Sequence, residues 1–232
     1  WSVATTHHSW SRSLRISTQS SIPPAIVTSA MGEVNAIYAG PPEDLHLVVH
    51  EGLQVPNMEE GVIFNGIGPV SIPINQHGQV VFEAWLPGPG ITEDNAATLW
   101  VGNLEGQLWL VAQTGEPIEI APGDLRVYQE IEVLYALGGQ DGRSRCLSDS
   151  GQLVFAAKTG HVGDGAILIA QIPIDGDCDS DGDIDLHDYR DLSECFLGPG
   201  VGGGRVCDCV DLDGEGDSDL LDFSSLHRRF TG

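Results

Sequence analysis

Lysine is nearly missing from this chain. Lys158 is the only one in 232 residues, and ten basic residues face 34 acidic ones for a formal net charge of −24. Without a basic cluster there is no electrostatic footing on a phosphate backbone, so nucleic acid is excluded as a partner. Long apolar runs are missing too: no segment approaches the ~20 apolar residues of a membrane span. The first residues, Trp1-Ser-Val-Ala-Thr-Thr-His7-His8, carry neither an initiator methionine nor the apolar core of a signal peptide. The chain therefore reads as a fragment or a processed form. No G-x-S-x-G nucleophile motif occurs, and the glycine-rich loops lack the lysine of a phosphate cradle. Hydrophobic residues make up 41%, ordinary for a globular protein, which argues against wholesale disorder.

Cysteine is scarce over most of the length and crowded at the end. Four of the five, Cys178, Cys195, Cys207 and Cys209, lie between residues 175 and 232. So small a segment has little core of its own and is the kind of unit that disulfides staple in exported proteins. A bridge from Cys195 to Cys207 or Cys209 would close the glycine-rich linker 198–204. Four cysteines allow three pairings, and sequence alone does not choose among them. Free thiols or a zinc site are the alternatives; C-x-C with no second close pair and no nearby ligand histidine argues against zinc. Cys146 is left over and is expected to be a buried thiol. The cysteine usage points to a secreted, extracellular protein.

The same segment spells one motif twice, 34 residues apart. The first copy runs from Asp177 to Asp188 and the second from Asp211 to Asp222. Both place acids at loop positions 1, 3, 5, 9 and 12 and glycine at position 6, the arrangement a hard cation needs. The candidate ligands of the first loop are Asp177, Asp179, Asp181, Asp185 and Asp188, with the backbone carbonyl of Asp183 at position 7. Those of the second are Asp211, Asp213, Glu215, Asp219 and Asp222, with the carbonyl of Asp217. Behind each loop the apolar residues fall at steps of three, three and four: Leu186, Tyr189, Leu192, Phe196, and Leu220, Phe223, Leu226, Phe230. That spacing predicts one face of a short helix, ended by Gly198 or Gly232. A solvated acidic tail is the plain alternative, but it would not repeat glycine, acids and helix stripe in register. Two calcium ions are expected.

A loop and one following helix, duplicated across a short linker, resembles a type I dockerin module over residues 175–232. Dockerins are secreted bacterial modules that fold on calcium and plug into cohesin domains, often on enzymes that break down polysaccharides. The resemblance implies a cohesin-like or other cell-surface protein as partner. Glu215 departs from the usual Asp or Asn at position 5 and Ser218 from the usual Ile or Val at position 8. Leu186-His187 and Leu220-Leu221 stand where cohesin-binding dockerins carry a hydroxyl pair. The two helices are expected to pack stripe to stripe and to leave Leu186, His187, Leu220 and Leu221 as candidates for a contact patch; the alternative puts Leu186 and Leu220 in the shared core, with only His187 and Leu221 outside it.

The preceding residues repeat as well. Gly78-Gln-Val-Val-Phe82 matches Gly151-Gln-Leu-Val-Phe155. Ala36-Ile-Tyr38-Ala-Gly40 matches Thr98-Leu-Trp100-Val-Gly102 and, more loosely, Ala166-Ile-Leu168-Ile169. Leu45–Gly52 matches Leu108–Gly115. Short β-branched and aromatic runs between turn signals predict strands, and no helical stripe of comparable length precedes residue 175. The fold class expected is mainly β, with propeller-like blades in an open or truncated array followed by a small helical module. The pattern resembles a tandem β-repeat of bacterial secreted proteins over residues 35–172. The expected division is 1–34 a poorly ordered leader, 35–174 the β-repeat region and 175–232 the calcium module.

Catalytic signals are thin. Glycan hydrolysis needs two carboxylates about 5–10 Å apart in a cleft, and Glu51, Glu83, Glu116 and Asp141 are available without anything to pair them. His46 and His50 would share a strand face about 13 Å apart, too far for one ion. Trp85, Trp100 and Trp109 are read as core before they are read as a sugar platform. No catalytic residue is therefore assigned. The expected function is a secreted, non-catalytic protein with a calcium-dependent docking module. The alternative is a carbohydrate-active component that binds or cleaves polysaccharide, with glycan as partner.

Overall fold

The computed structural model describes residues 3–5, 25–31, 34–41, 43–68, 73–134, 146–160, 165–179, 181–196, 205–212 and 217–229. These residues are mainly β, in several small sheets, with no closed barrel among them. The first sheet has the order β1 (Val3–Thr5), β2 (Ala25–Met31), β3 (Val34–Gly40), β4 (His46–His50), with β1 parallel to β2 and the rest antiparallel. The second is an antiparallel meander of β5 (Asn65–Gly68), β6 (Val80–Trp85), β7 (Ala97–Gly102) and β8 (Leu108–Gln113). A hairpin of β9 (Pro117–Ala121) and β10 (Asp124–Val127) follows. The third repeat-bearing sheet has the order β11 (Glu130–Val133), β12 (Gln152–Lys158), β13 (Gly165–Gln171).

Each matched stretch of sequence occupies the same place in its sheet. The Gly-Gln-x-Val-Phe runs open β6 and β12, the Ala36, Thr98 and Ala166 runs lie in β3, β7 and β13, and the Leu45 and Leu108 runs enter β4 and β8. The backbone hydrogen bonds repeat with them. Gly52 N donates to Phe64 O and Gly115 N to Tyr128 O, both at 2.8 Å; Glu51 N donates to Asn35 O and Thr114 N to Ala97 O, both at 2.9 Å. The turns ahead of β6 and β12 close the same way, Asn75 N on Gln79 O and Ser148 N on Gln152 O. Gly78 and Gly151 end those turns at φ 75° and 70°, a region side chains with a Cβ rarely enter.

Strand alternation then builds the core. Ile37 and Ala39 of β3 pack with Phe64, Phe82 and Trp100, all at most 1% exposed. Trp100 meets Phe64 edge to face at 5.0 Å between ring centroids, and its Nε1 donates to Thr98 Oγ1 at 2.8 Å. The opposite face of β7, carrying Leu99 and Val101, is also fully buried, and β7 packs against β11. Cys146 is buried, outside both disulfides of the chain.

The stretch 1–34, expected to be a poorly ordered leader, contains two strands. β1 and β2 fall inside it, because Ala25-Ile-Val-Thr-Ser-Ala-Met31 is a strand-forming run that pairs along the full length of β3. The rest of that stretch lies outside the described residues.

The chain divides into two compact units, residues 1–148 with 152–170, and residues 149–151 with 171–232. The second holds α1 (Leu186–Cys195), a 3-10 turn over Arg205–Val210, and α2 (Leu220–Arg229). Its core is Ile174, Ile184, Leu192, Val210 and Leu226, with the disulfides packed against it. Those disulfides are Cys178–Cys209 and Cys195–Cys207, each with Cα atoms 5.6 Å apart. The second of them closes the glycine-rich linker. No helix of the described residues is long and apolar enough to cross a membrane.

Candidate metal centre

The first acidic loop is tied together by its own carboxylates. Asp177, at position 1, accepts from Asp181 N at 3.1 Å through Oδ1 and from Gly182 N at 3.0 Å through Oδ2. Asp179 Oδ1 accepts from Asp181 N at 3.2 Å, and Asp181 Oδ1 from Asp183 N at 3.1 Å. Gly182 has φ 97°, and a Cβ there would lie 2.6 Å from Ser150 Cβ, so both conformation and space demand glycine.

Asp188, at position 12, is fully buried and closes the loop from behind. Its Oδ1 accepts from Cys178 N at 2.6 Å and its Oδ2 from Asp185 N at 2.8 Å. Asp185 is the N-cap of α1, its Oδ1 accepting from His187 N at 2.6 Å. Positions 9 and 12 thus form a capping box, with Asp at the third helical position where Glu or Gln is usual. Carboxylates there also sit favourably against the helix dipole. The sequence reading missed this capping role, although Asp-x-x-Asp just before each helix was the signal.

The second loop repeats the scheme with the 34-residue offset. Asp222 is fully buried; its Oδ1 accepts from Leu212 N and its Oδ2 from Asp219 N, both at 2.7 Å. Asp219 Oδ1 accepts from Leu221 N at 2.7 Å. Cys178 and Leu212, Asp185 and Asp219, and Asp188 and Asp222 are equivalent pairs. Asp211 is half-buried at position 1. Asp213 and Glu215 lie outside the described residues. At position 8 Ile184 is buried in the core, whereas Ser218 is buried with an Oγ that has no hydrogen-bond partner among the described residues.

Three carboxylate groups come close enough to share an ion: Asp177, Asp179 and Asp188; Asp183, Asp185 and Asp188; and Asp217, Asp219 and Asp222. Within each, one oxygen per residue lies within 4.8 Å of the others. The donor set consists of oxygens alone, the kind a hard cation takes. Neither loop contains a lysine or arginine. The carboxyl of Asp183 is held above the usual carboxylate range, by loss of solvent first and then by Asp181, Asp185, Asp188 and Asp179 around it. A bound cation would relieve that repulsion.

α1 and α2 do meet through their stripes, but only in part. Tyr189 and Phe223 pack edge to face at 5.9 Å, and a groove of about 300 Å³ is lined by Leu186, Tyr189, Phe223, Leu226 and His227. Leu186 and Leu220 are not core: they are 71% and 70% exposed, and Leu221 is 60% exposed. Among the described residues of the two stripes only Leu192 and Leu226 are fully buried, because the ten-residue helices turn the ends of the stripes out to solvent. Phe230 lies outside the described residues.

The other candidates are used structurally. Glu83 Oε1 accepts from Val133 N at 3.1 Å and links β6 to β11. His46 pairs with Asp44 at 3.4 Å, and His50 Nδ1 contacts Glu51 O at 2.7 Å. Neither histidine joins a candidate metal group among the described residues. Trp100 is core, Trp109 half-buried and Trp85 exposed. Asp141 lies outside the described residues.

Glu51 braces β3 and β5, accepting from Asn35 Nδ2 at 2.9 Å, Asn35 N at 3.1 Å and Ile67 N at 3.3 Å. Burial pushes its carboxyl upward, and these bonds outweigh that push, so its pKa lies below the ordinary value. A depressed carboxylate stabilises the fold above the unfolded pKa, here 4.5, and that contribution is lost as pH falls through the lower folded value. Tryptophan fluorescence isolates the effect, since all five tryptophans precede residue 110. The melting temperature of the first unit is expected to fall below pH 4.5, and less steeply in Glu51→Gln than in the wild type.

The molecule is thus a protein of small repeated sheets joined to a disulfide-stapled helical unit with paired acidic loops. Residues 27–166, more than half the chain, match the profile of a family of unknown function, DUF7453, and the chain belongs to that family. The match ends ahead of the acidic loops. No curated protein and no solved structure matches.

Proposed function

We propose that the chain is a secreted, non-catalytic β-repeat protein whose C-terminal dockerin-like module binds two calcium ions and docks the protein to a partner. In this reading the small sheets are propeller-like blades in an open array. The observation that carries the calcium reading is the duplicated hydrogen-bond scheme. Asp188 and Asp222, each fully buried, hold the N–H groups of loop positions 2 and 9 in the same way 34 residues apart. Two separate loops shaped alike around converging carboxylates are costly without a cation to offset the repulsion. The two disulfides suit an oxidising compartment. Docking rests on Leu186, Leu220 and Leu221, exposed at the loop ends of both copies, where solvent contact gains nothing.

Calorimetry of the full chain tests this. Calcium is expected to bind at two sites, Asp177→Ala to remove one, and magnesium to compete weakly. Absence of calcium binding in the wild type would end the reading.

A further inference from the structure

The two acidic loops share their hydrogen bonds but differ at position 2, where Cys178 of the first copy answers to Leu212 of the second. Both backbone N–H groups donate to the position-12 carboxylate, Cys178 N to Asp188 Oδ1 at 2.6 Å and Leu212 N to Asp222 Oδ1 at 2.7 Å. Both side chains pack on the small core, but Cys178 is also bonded to Cys209. A covalent tether therefore enters the first loop between two of its candidate ligands, Asp177 and Asp179. Its other end, Cys209, lies two residues ahead of Asp211 and so outside the second loop. The inner bridge enters neither loop, since Cys195–Cys207 joins the last residue of α1 to the 3-10 turn. Access differs as well. Cys178 and Cys209 are both half-buried, whereas Cys195 of the inner bridge is only 6% exposed.

We propose, resting on the calcium reading of the first loop, that the Cys178–Cys209 bridge is a redox control on that loop's calcium affinity and that the second loop lies outside the control. With the bridge closed, residue 178 is held from two sides, by its N–H on Asp188 and by its sulfur on Cys209. Asp177 and Asp179 then flank a fixed point. With the bridge open only the N–H contact remains, and the ion must itself order the backbone that carries positions 1 to 3. A small dithiol operates the control by exchange. Its thiolate attacks one sulfur of the bridge and the other cysteine leaves; the second thiol of the reductant then displaces the first cysteine from the mixed disulfide. Two electrons and two protons pass to Cys178 and Cys209, which end as thiols, and the dithiol ends as its own disulfide. Because Cys195 is buried, limiting reductant opens the outer bridge first. In an oxidising compartment the bridge stays closed and the first loop is at its tightest. The coupling runs both ways: a bridge that tightens calcium is in turn held closed by calcium.

Calcium calorimetry of the full chain in two single-site backgrounds tests this, with Asp211→Ala leaving the first loop and Asp177→Ala leaving the second. Adding Cys178→Ser with Cys209→Ser is expected to weaken the first loop's binding at least about tenfold, the factor for ordering one freed residue, and the second loop's by less. Cys195→Ser with Cys207→Ser is expected to weaken both loops alike. An equal loss at the two loops on opening the outer bridge, which general destabilisation of the module would give, overturns the proposal, and so does no loss at either. If the outer serine pair does not fold, the wild type reads the same coupling in a dithiothreitol redox buffer, followed by alkylation and mass spectrometry. The reduced-to-oxidised ratio that opens half of the outer bridges should be at least about tenfold higher in saturating calcium than in chelator. That shift should exceed the shift of the inner bridge. An outer bridge indifferent to calcium overturns the proposal, while two calcium sites in the oxidised wild type still uphold the reading beneath it. An oxidised wild type that binds no calcium ends both.

Discussion

Asp188→Ala is expected to melt the start of α1 and abolish calcium binding in the first loop. The side chain is fully buried and accepts from Cys178 N and Asp185 N. Removing it strands two backbone donors, each costing about 1–3 kcal/mol, so the loss is about 2–6 kcal/mol. That equals most of the stability of a module this small. Relief of repulsion at Asp183 offsets part of the cost without calcium and none of it with calcium. The calcium-loaded variant should therefore suffer more relative to wild type than the apo variant. Asp222→Ala, the equivalent change, should do the same to α2, with Leu212 N and Asp219 N stranded. Tryptophan fluorescence should not move in either variant, since every tryptophan lies in the first unit. An Asp188→Ala protein with wild-type far-UV circular dichroism and two intact calcium sites would sink the role assigned to this carboxylate.

The strands and the acidic loops were legible in the sequence because each was written more than once. A single Gly-Gln-x-Val-Phe run says little; its recurrence at β6 and β12 with the same turn hydrogen bond says where a strand begins. In the first loop the acids at positions 1, 3 and 12, Asp177, Asp179 and Asp188, lie together. What escaped was information carried by neighbours. β2 has no obvious counterpart in the sequence repeats, so only its pairing with β3 reveals it. Leu186 and Leu220 fit the helix stripe by spacing, yet ten-residue helices bury only one leucine of each stripe and leave these two in solvent. Glu83 alternates with buried Phe82 and Ala84, and its bond to Val133 N depends on a sheet fifty residues away. The disulfide pairing was undetermined for the same reason: Cys207 and Cys209 are two residues apart, and which one reaches Cys195 depends on how the 3-10 turn is oriented.

Reduction of both disulfides in the absence of calcium is expected to unfold α1 and α2 while the first unit stays folded. The bridges are nested. Cys195–Cys207 closes 12 residues and Cys178–Cys209 closes 31 around it. By loop-closure entropy the inner bridge contributes about 3 kcal/mol and the outer, taken alone, about 4 kcal/mol. Together they contribute less than the sum, because the inner bridge already shortens the outer loop. The core they support is small, and it includes the cysteines themselves: Cys195 is buried, and Cys178, Cys207 and Cys209 pack against Ile184, Leu192 and Leu226. Cys178→Ser with Cys209→Ser should therefore destabilise the module more than Cys195→Ser with Cys207→Ser. The outer bridge ties loop position 2 of the first copy to the residues leading into the second, so its loss separates the two halves. On the calcium reading proposed above, the ion would act on the same equilibrium from another side, binding only the folded loops and adding stability with ion concentration. Reduced protein in saturating calcium should keep its helices, and chelation should then collapse them in one transition, with tryptophan fluorescence unchanged. If the helices survive full reduction in chelator, the staples and the ion are not what holds this module together, and its small apolar core is sufficient by itself.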